Sequence, residues 1–333
     1  MRWQLPLGLA ISAACLVWLL GQVDLTRLAR LMTSFSPWYP LAVAILLAWV
    51  FWLRSQRWQL LLRPLKRCPV GELYSANLIG FMANNVLPAR LGEIVRAYAV
   101  NRLCAVPVSG VLATLVIERV LDGMAILAFF FLALFFTDPT AQAGAFNVAY
   151  LRGIGLFLLA GYLGVLGLMA ALWRWPSATS GWLARLAGRL SPRLGEKAAS
   201  ILANFTQGLG LLGQGRHLPL LIAQSLAMWL LVLLTAYVFL PAVGLPHSLL
   251  MAAMALVGGS LAAAVPAGPG YIGTTQVAVM WTLMLAGADQ ERAAAFSLVY
   301  WAALYFPVTA AGLVEMLRRG MSLSSLRGGG KKP

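Results

Sequence analysis

Charged side chains occupy two stretches of this sequence that are otherwise apolar. Residues 84–96 read Asn-Asn-Val-Leu-Pro-Ala-Arg-Leu-Gly-Glu-Ile-Val-Arg, and residues 118–122 read Glu-Arg-Val-Leu-Asp. An ionisable group at membrane depth costs about 3 kcal/mol or more, so it usually faces a transport pathway or a charged partner. Here three positive charges match three negative ones: Arg90, Arg96 and Arg119 against Glu93, Glu118 and Asp122.

The charges of the first stretch have the spacing of an anion site. Glu93 is three residues from both Arg90 and Arg96, so the three side chains are neighbours on a helix. That helix is predicted to begin near Ala89, which would direct its free N–H groups and the positive end of its dipole at the preceding break. The two guanidinium groups have a forked shape that suits phosphate.

The second stretch supplies two carboxylates. Glu118 and Asp122 are four residues apart and share one helical face, whereas Arg119 is predicted to point elsewhere. In the anion-site hypothesis, the carboxylates hold the arginines in place and let the anion leave. The alternative is a neutral ion-pair cluster that pins neighbouring helices together, because buried pairs are often structural. The candidate substrate-binding residues here are Asn84, Asn85, Arg90, Glu93, Arg96, Glu118, Arg119 and Asp122.

A second break, rich in Pro and Gly, lies at residues 265–276 and carries no charge. It offers hydroxyl groups, one amide and bare backbone, which suit a polar headgroup; tight helix packing is the alternative. Its candidate binding residues are Tyr271, Thr274, Thr275 and Gln276. The structural breaks are Pro88 and Gly92 in the first stretch, and Pro266, Gly268, Pro269, Gly270 and Gly273 in the second.

The composition identifies the class of protein that positions these groups. Of 333 residues, 61% are hydrophobic and 11% are charged, and the mean hydropathy is +0.81; about a quarter of the residues of a soluble domain are charged. The chain is therefore predicted to be an all-α polytopic membrane protein, which excludes Rossmann and P-loop domains. Cys15, Cys68 and Cys104 are widely spaced and indicate neither a zinc site nor a disulfide framework.

The apolar segments predict the helices. A membrane-spanning helix needs about 20 apolar residues. Two stretches, 71–104 and 250–287, are interrupted near their middle, and each half is about 22 Å long, short for a hydrocarbon core of about 30 Å. We predict that they form re-entrant hairpins of broken helices; ordinary kinked spans are the alternative. The six full spans are 4–22, 37–60, 107–136, 148–173, 217–240 and 292–317.

Basic residues set the predicted orientation. The net charge of +15 is concentrated in segments 54–67 and 174–216 and in the C-terminal tail. The positive-inside rule places these segments and both termini in the cytoplasm, for a multi-pass protein of a bacterial inner membrane. Segments 24–35 and 178–213 are predicted to lie on the membrane surface, the second against anionic lipid headgroups. Two arginines of segment 24–35 fall on the opposite side and weigh against this orientation.

A shift of 178 residues aligns the two broken stretches. Leu78, Gly80, Pro88, Ala89, Gly92 and Ile94 then fall on the identical residues Leu256, Gly258, Pro266, Ala267, Gly270 and Ile272. Three crossings separate equivalent points, which predicts inverted repeats with broken helices, a signature of transporters. The predicted units are 1–36 (first helix and interfacial helix), 37–136 (repeat 1), 137–216 (linking helix and basic segment), 217–318 (repeat 2) and 319–333 (disordered basic tail).

These elements resemble the lysylphosphatidylglycerol synthase transmembrane family, also described as flippase-like. The matching motifs are N-x-x-x-P-x-R-x-G-E-x-x-R at 84–96, E-R-x-x-D at 118–122 and P-G-x-x-G-x-x-Q at 269–276, within a resemblance that covers roughly 35–318. Many members carry an acid where this chain has Gln276. In the best-known members this domain precedes an aminoacyl-transferase domain and moves the aminoacylated lipid to the outer leaflet. This sequence shows no such domain, so the resemblance implies a stand-alone flippase-like protein.

The leading functional hypothesis is a transporter, rather than an enzyme, that moves an anionic or zwitterionic lipid between leaflets. The alternatives are a membrane-embedded transferase for a lipid-linked sugar or phosphate, with Glu93, Glu118 or Asp122 as base, and a non-catalytic partner in envelope-lipid synthesis. The expected partners are a membrane lipid substrate and anionic headgroups, not nucleic acid. A second copy of the chain and an envelope-lipid synthesis enzyme are further candidates. No cofactor or metal ion is expected.

Overall fold

The computed structural model describes residues 4–33, 36–87, 91–144, 146–191, 217–263, 265 and 267–322. A two-stranded antiparallel ribbon of β1 (Gln142–Ala143) and β2 (Phe146–Asn147) links two of the long helices. The rest is mainly helical, so the predicted all-α class is confirmed. The helices are α1 (Gln4–Gly21), α2 (Leu25–Thr33), α3 (Trp38–Leu62), α4 (Val70–Val86), α5 (Gly92–Cys104), α6 (Val108–Phe136), α7 (Val148–Arg174), α8 (Pro176–Leu190), α9 (Leu218–Phe239), α10 (Leu249–Ala262), α11 (Thr274–Leu285) and α12 (Gln290–Arg318).

Five helices of the described residues are long and apolar enough to cross a membrane, namely α3, α6, α7, α9 and α12. The bounds predicted from hydropathy agree with these helices to within two residues at each end. A sixth apolar helix, α1, meets α2 at an angle of 99°, which fits a spanning helix followed by a surface helix. The chain is therefore a multi-pass membrane protein.

Helix α2 is fixed at its start by Asp24. The Asp24 carboxylate accepts hydrogen bonds from the Thr26 hydroxyl (2.6 Å) and from the backbone N–H of Thr26 and Arg27. These bonds lower the pKa of Asp24, the Thr26 hydroxyl having the largest effect. The Arg27 guanidinium lies 3.4 Å from the Glu291 carboxylate and 3.9 Å from that of Asp289. One of the two arginines that weigh against the predicted orientation is therefore paired with acidic groups on its own side.

Each broken stretch folds into two short helices that pack against each other. At 1.5 Å per residue, α4 and α5 are about 25 and 20 Å long, and α10 and α11 about 21 and 18 Å. Glycine allows the close approach in both hairpins. A Cβ atom at Gly80 would lie 2.7 Å from the Cβ of Arg96, and one at Gly258 would lie 2.8 Å from the Ala278 carbonyl oxygen. Gly80 and Gly258 are equivalent in the 178-residue repeat, so the two glycines have the same packing role.

Helix α12, about 43 Å long, contacts the two hairpins at opposite ends. Near its C-terminus, Glu315 accepts a hydrogen bond from the Ser75 hydroxyl at the start of α4 (2.7 Å), and Arg319 pairs with Glu72. Its N-terminus is capped by Asp289, directly after α11 ends. The bases of the two hairpins therefore lie at opposite ends of the bundle, as the inverted repeat predicts.

The tips of the two hairpins meet at the middle of α12. The Asn85 amide, at the end of α4, donates to the Thr309 hydroxyl (2.8 Å), and the Trp301 indole donates to the Gly270 carbonyl (2.8 Å). Tyr305 stacks on Trp301 with ring centroids 4.7 Å apart, and its hydroxyl donates to the Asn85 carbonyl (3.4 Å). One helix therefore connects both breaks.

A disulfide bond joins Cys68 to Cys104, across the base of the first hairpin. The spacing of the cysteines, which indicates no disulfide framework, did not reveal this bond. Their Cα atoms are 5.8 Å apart, although 36 residues separate them in the sequence. The spacing forms no recognisable motif, because the pairing depends on α5 returning to the level at which α4 begins. Cys15 is free.

The predicted basic surface segment is described only in part. Helix α8 forms its first half, with the Arg185 and Arg189 side chains exposed. Residues 192–216 and the tail, 323–333, lie outside the described residues. The predicted contact of this segment with anionic headgroups stays a prediction.

Cysteine labelling tests the opposite entry of the two hairpins. Leu65, before α4, and Pro246, before α10, are both exposed. In a background without native cysteines, we expect Pro246→Cys to react with a membrane-impermeant maleimide in intact cells. Leu65→Cys should react only after the cells are opened, because the positive-inside rule predicts that its basic loop faces the cytoplasm. Reaction of both variants in intact cells would contradict the inverted topology.

Candidate functional site

Two carboxylates of α6 form the centre of a buried group of charges. Glu118 and Asp122 are one helical turn apart, and only 0% and 2% of their surface is exposed. Both face the bundle interior, as their spacing predicts. Side chains from α3, α5 and α9 converge on them. We call this group the charge cluster; it comprises Arg54, Arg57, Glu93, Arg96, Glu118, Arg119 and Asp122.

Glu118 is shared by four guanidinium groups. Arg96 binds it with both terminal nitrogens, Nη1 at 2.9 Å from Oε1 and Nη2 at 2.7 Å from Oε2. The same Oε1 atom also accepts from Arg119 Nη2 (2.7 Å) and Arg54 Nη1 (3.1 Å), and Arg57 Nη2 lies 3.7 Å away. Such a bidentate pair combines strength with fixed geometry, so Glu118 is the main counter-ion of the cluster.

Asp122 joins α6 to α3 and α9. Its Oδ1 atom accepts hydrogen bonds from Arg57 Nη1 (2.7 Å) and from the Trp229 indole (3.2 Å). Its Oδ2 atom lies 3.2 Å from Arg119 Nη2 and 3.6 Å from Arg54 Nη1. Asp122 therefore shares three cationic neighbours with Glu118, namely Arg54, Arg57 and Arg119.

Arg54 and Arg57 belong to this cluster, although the sequence interpretation counts both among the cytoplasmic residues of segment 54–67. Their side chains are 6% and 0% exposed, and they extend into the bundle from the last turns of α3. The predicted orientation now depends on the exposed Arg and Lys residues within 63–67. One signal could have identified the pair in the sequence, since both residues also fall inside the predicted span 37–60.

Arg119 does not point away from the carboxylates, and that prediction is wrong. Its Nη2 atom lies 2.7 Å from Glu118 Oε1, 3.2 Å from Asp122 Oδ2 and 3.9 Å from Glu93 Oε1. The long side chain curls around α6, so helical spacing alone did not fix the position of its charged end. Its side chain is 46% exposed.

The α5 residues of the cluster are arranged as their spacing predicts. Glu93 Oε2 lies 3.6 Å from Arg96 Nη1. The Arg96 guanidinium stacks on the Trp58 ring, 3.8 Å from its centroid, which adds a cation–π contact. Arg90, the other predicted neighbour of Glu93, lies outside the described residues, and its contact with Glu93 stays a prediction.

The described cluster carries an excess of positive charge. Four guanidinium groups face three carboxylates, whereas the sequence predicts three against three. Several buried nitrogen donors have no hydrogen-bond partner among the described residues, and buried donors are normally paired. These donors are Arg54 Nε, Arg57 Nε, Arg57 Nη2 and Arg96 Nε; two carboxylate oxygens of the cluster, Glu93 Oε2 and Asp122 Oδ2, also lack a hydrogen bond. The four unpaired donors outnumber the two unpaired acceptors, so the described cluster has capacity for an additional hydrogen-bond-accepting group.

The first break is closed by asparagine side chains. The Asn84 carbonyl oxygen accepts a hydrogen bond from the Gly92 N–H (2.8 Å), and Asn85 binds α12 as described above. Helix α5 begins at Gly92 rather than near Ala89. The Gly92 N–H, at the helix end that was expected to face an anion, therefore already donates to Asn84. Pro88, the predicted break residue, lies outside the described residues. The structure thus gives Asn84 a capping contact.

The second break is longer and is held by its own backbone. Gln276 is buried and accepts a hydrogen bond from the Gly273 N–H (2.6 Å), while the Thr274 hydroxyl donates to the Tyr271 carbonyl (3.1 Å). Thr275 is half-buried on the first turn of α11. The hydrogen bonds of Gln276 and Thr274 stay within this hairpin, which fits the packing alternative. The predicted break residues Pro269 and Gly270 form a short 3₁₀ turn, and Pro266 lies outside the described residues.

Helix α1 packs on the second break, a contact that the sequence interpretation missed. The Ser12 hydroxyl accepts a hydrogen bond from the Gly268 N–H (2.9 Å), and the Ser12 backbone lies directly against Gly273. A Cβ atom at Gly8 would lie 2.8 Å from the Ala267 carbonyl oxygen. The first helix therefore forms part of the second hairpin's surroundings.

Comparison with protein-family models gives a match over nearly the whole chain. Residues 6–312 match the model described as the lysylphosphatidylglycerol synthase TM region. The matched range includes both hairpins and every residue of the charge cluster.

Curated archaeal proteins are similar to this chain. A UPF0104 membrane protein of Methanocaldococcus jannaschii is 25% identical over 69% of this chain and 91% of its own length. A UPF0104 membrane protein of Methanothermobacter thermautotrophicus is 23% identical over 94% of both chains. The glycosyltransferase AglD of Haloferax volcanii is 25% identical over 96% of this chain, but over only 55% of its own length.

Proposed function

The chain belongs to the lysylphosphatidylglycerol synthase transmembrane family, and we propose that it moves an anionic or zwitterionic lipid between the two leaflets of its membrane. The excess positive charge of the charge cluster is the observation that carries this proposal. An anionic phosphate is the group of such a lipid that this charge would attract, and guanidinium groups suit its geometry. The acyl chains need no polar site, because they stay among the lipid-facing helices.

The arrangement of the two hairpins also supports transport. Their bases lie at opposite ends of α12, and their tips both contact its segment 301–309. Transporters with inverted repeats bind substrate where broken helices meet near the midplane, and they alternate access by moving one repeat against the other. In this protein, a shift of either tip would be transmitted to the other through Trp301, Tyr305 and Asn85.

We place the basic end of the bundle in the cytoplasm of a prokaryotic cell, where it faces the anionic inner leaflet. Exposed arginines at this end include Arg63, Arg102 and Arg318. The charge cluster is then entered from the leaflet in which the first hairpin is based. A lipid with a phosphate group would reach it from the cytoplasmic side and leave through the second hairpin.

Reconstitution into liposomes tests the proposal. Purified protein is placed in vesicles that contain traces of phosphatidylglycerol or phosphatidylethanolamine with a fluorescent acyl chain, and dithionite quenches the outer leaflet. We expect the quenched fraction to rise from about half towards completeness without ATP, at least for one lipid. Arg152→Gln, in the exposed first turns of α7, is a control that should keep the parent rate. If the quenched fraction in vesicles with protein equals that in protein-free vesicles for both lipids, the proposal is contradicted.

A second candidate function is a membrane-embedded transferase for a lipid-linked sugar or phosphate. It is favoured by the similarity to a protein named a glycosyltransferase, but the match leaves 45% of that relative uncovered. A carboxylate that acts as a base must be free to take a proton. Glu118 and Asp122 are held by several arginines, which leaves Glu93, 31% exposed, as the candidate base. Mass spectrometry of the vesicle lipids distinguishes the two, since transport leaves lipid masses unchanged.

A further inference from the structure

One member of the charge cluster is accessible from outside the bundle. The side chains of Arg54, Arg57 and Arg96 are 6%, 0% and 1% exposed, whereas that of Arg119 is 46% exposed. Glu93, at 31%, is the accessible carboxylate. Of the four described guanidinium groups, Arg119 is thus the one that an incoming group can reach without opening the helix packing.

Arg119 is also the cation whose contacts are duplicated by others. The Glu118 oxygen that it contacts is also bound by Arg54 and Arg96, and the Asp122 oxygen lies near Arg54. If Arg119 turned away, the other members would balance, with three guanidinium groups against three carboxylates. Arg119 is therefore both the accessible cation of the cluster and the one whose departure would remove the excess positive charge.

The depth of Arg119 requires a polar neighbour. It lies 11 residues after Val108, about 17 Å along a helix of 29 residues, so a hydrocarbon core of about 30 Å centred on α6 would contain it. Glu118 and Asp122 compensate its buried side, but the exposed part of a guanidinium is costly at this depth unless water or a further anion meets it. Arg119 donates to the Glu118 carboxylate through Nη2, and its other N–H groups donate no hydrogen bond to a carboxylate among the described residues.

We propose that Arg119 binds the phosphate group of the transported lipid and exchanges between the carboxylates and that phosphate. This rests on the proposed function and names the residue and the chemical group that it requires. A phosphate diester carries one negative charge, so its binding brings the described cluster to neutrality. The fixed arginines hold the carboxylates during the exchange, which lets Arg119 return when the lipid leaves.

Two substitutions of Arg119 test this assignment. Arg119→Gln should accumulate and remain monodisperse, because the remaining charges balance, but should translocate phosphatidylglycerol at least tenfold more slowly. Arg119→Lys keeps the charge without the fork and should have an intermediate rate. Arg152→Gln, in the exposed first turns of α7, is the control that should match the parent. If the parent translocates and Arg119→Gln equals it, this inference fails and the proposed function stands.

A binding measurement makes the test independent of transport. Native mass spectrometry of protein in detergent with added phosphatidylglycerol should show one bound lipid. The fraction of protein that carries this lipid should be at least tenfold lower for Arg119→Gln than for the parent. Equal occupancy in both proteins would overturn the inference even if no transport were observed. Failure of Arg119→Gln to fold would also overturn it, because it would make Arg119 a structural partner like Arg57.

Two further probes identify the source of the phosphate. A glucosyl diacylglycerol, which has no phosphate, should bind independently of Arg119. Inorganic phosphate at millimolar concentration should compete only weakly with phosphatidylglycerol, since it lacks the acyl chains. Strong binding of inorganic phosphate that depends on Arg119, without lipid binding, would replace the lipid assignment with a site for free phosphate.

Discussion

Replacing Glu118 by glutamine should prevent most of the protein from accumulating in the membrane. The change leaves four guanidinium groups facing two carboxylates and removes the one group that all four approach. Breaking a buried ion pair from one side costs about 3–5 kcal/mol, because the partner is left buried and uncompensated. Fluorescence-detected size-exclusion chromatography of a fusion to a fluorescent protein measures the monodisperse fraction.

A second substitution separates loss of charge balance from loss of shape. Glu118→Gln combined with Arg54→Met leaves three guanidinium groups against two carboxylates, the same excess of one as in the parent. We expect the double variant to recover part of the lost accumulation, since methionine fills much of the volume of the arginine stem. Glu291→Gln, in an exposed pair, is the control for loss of a carboxylate. Parent-like accumulation of Glu118→Gln alone would show that Glu118 is not the main counter-ion.

The sequence was sufficient to predict the long helices and the two hairpins. Hydropathy gave their bounds closely because membrane spans are selected by one physical property, the transfer of an apolar segment into lipid. The 178-residue repeat also predicted that Gly80 and Gly258 occupy equivalent positions, and both proved to permit close helix contact. These features depend on local sequence, so three-dimensional information was not needed.

The composition of the charge cluster could not be read in the same way. Arg54 and Arg57 lie near the end of a span, where the positive-inside rule treats arginine as a cytoplasmic marker. Whether such a residue faces the cytoplasm or the bundle depends on a partner on another helix, here Glu118 and Asp122, more than 60 residues away. The three-against-three balance was therefore wrong by at least one charge.

The contact of α1 with the second hairpin was missed for a related reason. Ser12 is a small polar residue in an apolar helix, and hydropathy does not register which neighbour it faces. At its contact, Gly273 adopts φ 87° and ψ −63°, a conformation that is strained for residues other than glycine. A Cβ atom there would overlap the backbone carbonyl of Ser12. Two independent constraints thus require glycine at position 273.

Gly273→Ala should therefore destabilise the protein by about 2–5 kcal/mol, combining about 1–2 kcal/mol for the left-handed backbone with about 1–3 kcal/mol for overpacking. The melting temperature of the purified protein, followed by the loss of monodisperse material on heating, measures the effect. Gly259→Ala, on α10 of the same hairpin, is the matched control, because a Cβ atom there meets nothing within 4 Å. It should be neutral or slightly stabilising, since alanine is the better helix former.

Adding Ser12→Ala to Gly273→Ala should not restore stability, because the overlap is with the backbone oxygen of Ser12 rather than its side chain. Equal melting temperatures for Gly273→Ala and Gly259→Ala would mean that α1 does not press on the second break, and the first helix would then be free to move independently of that hairpin.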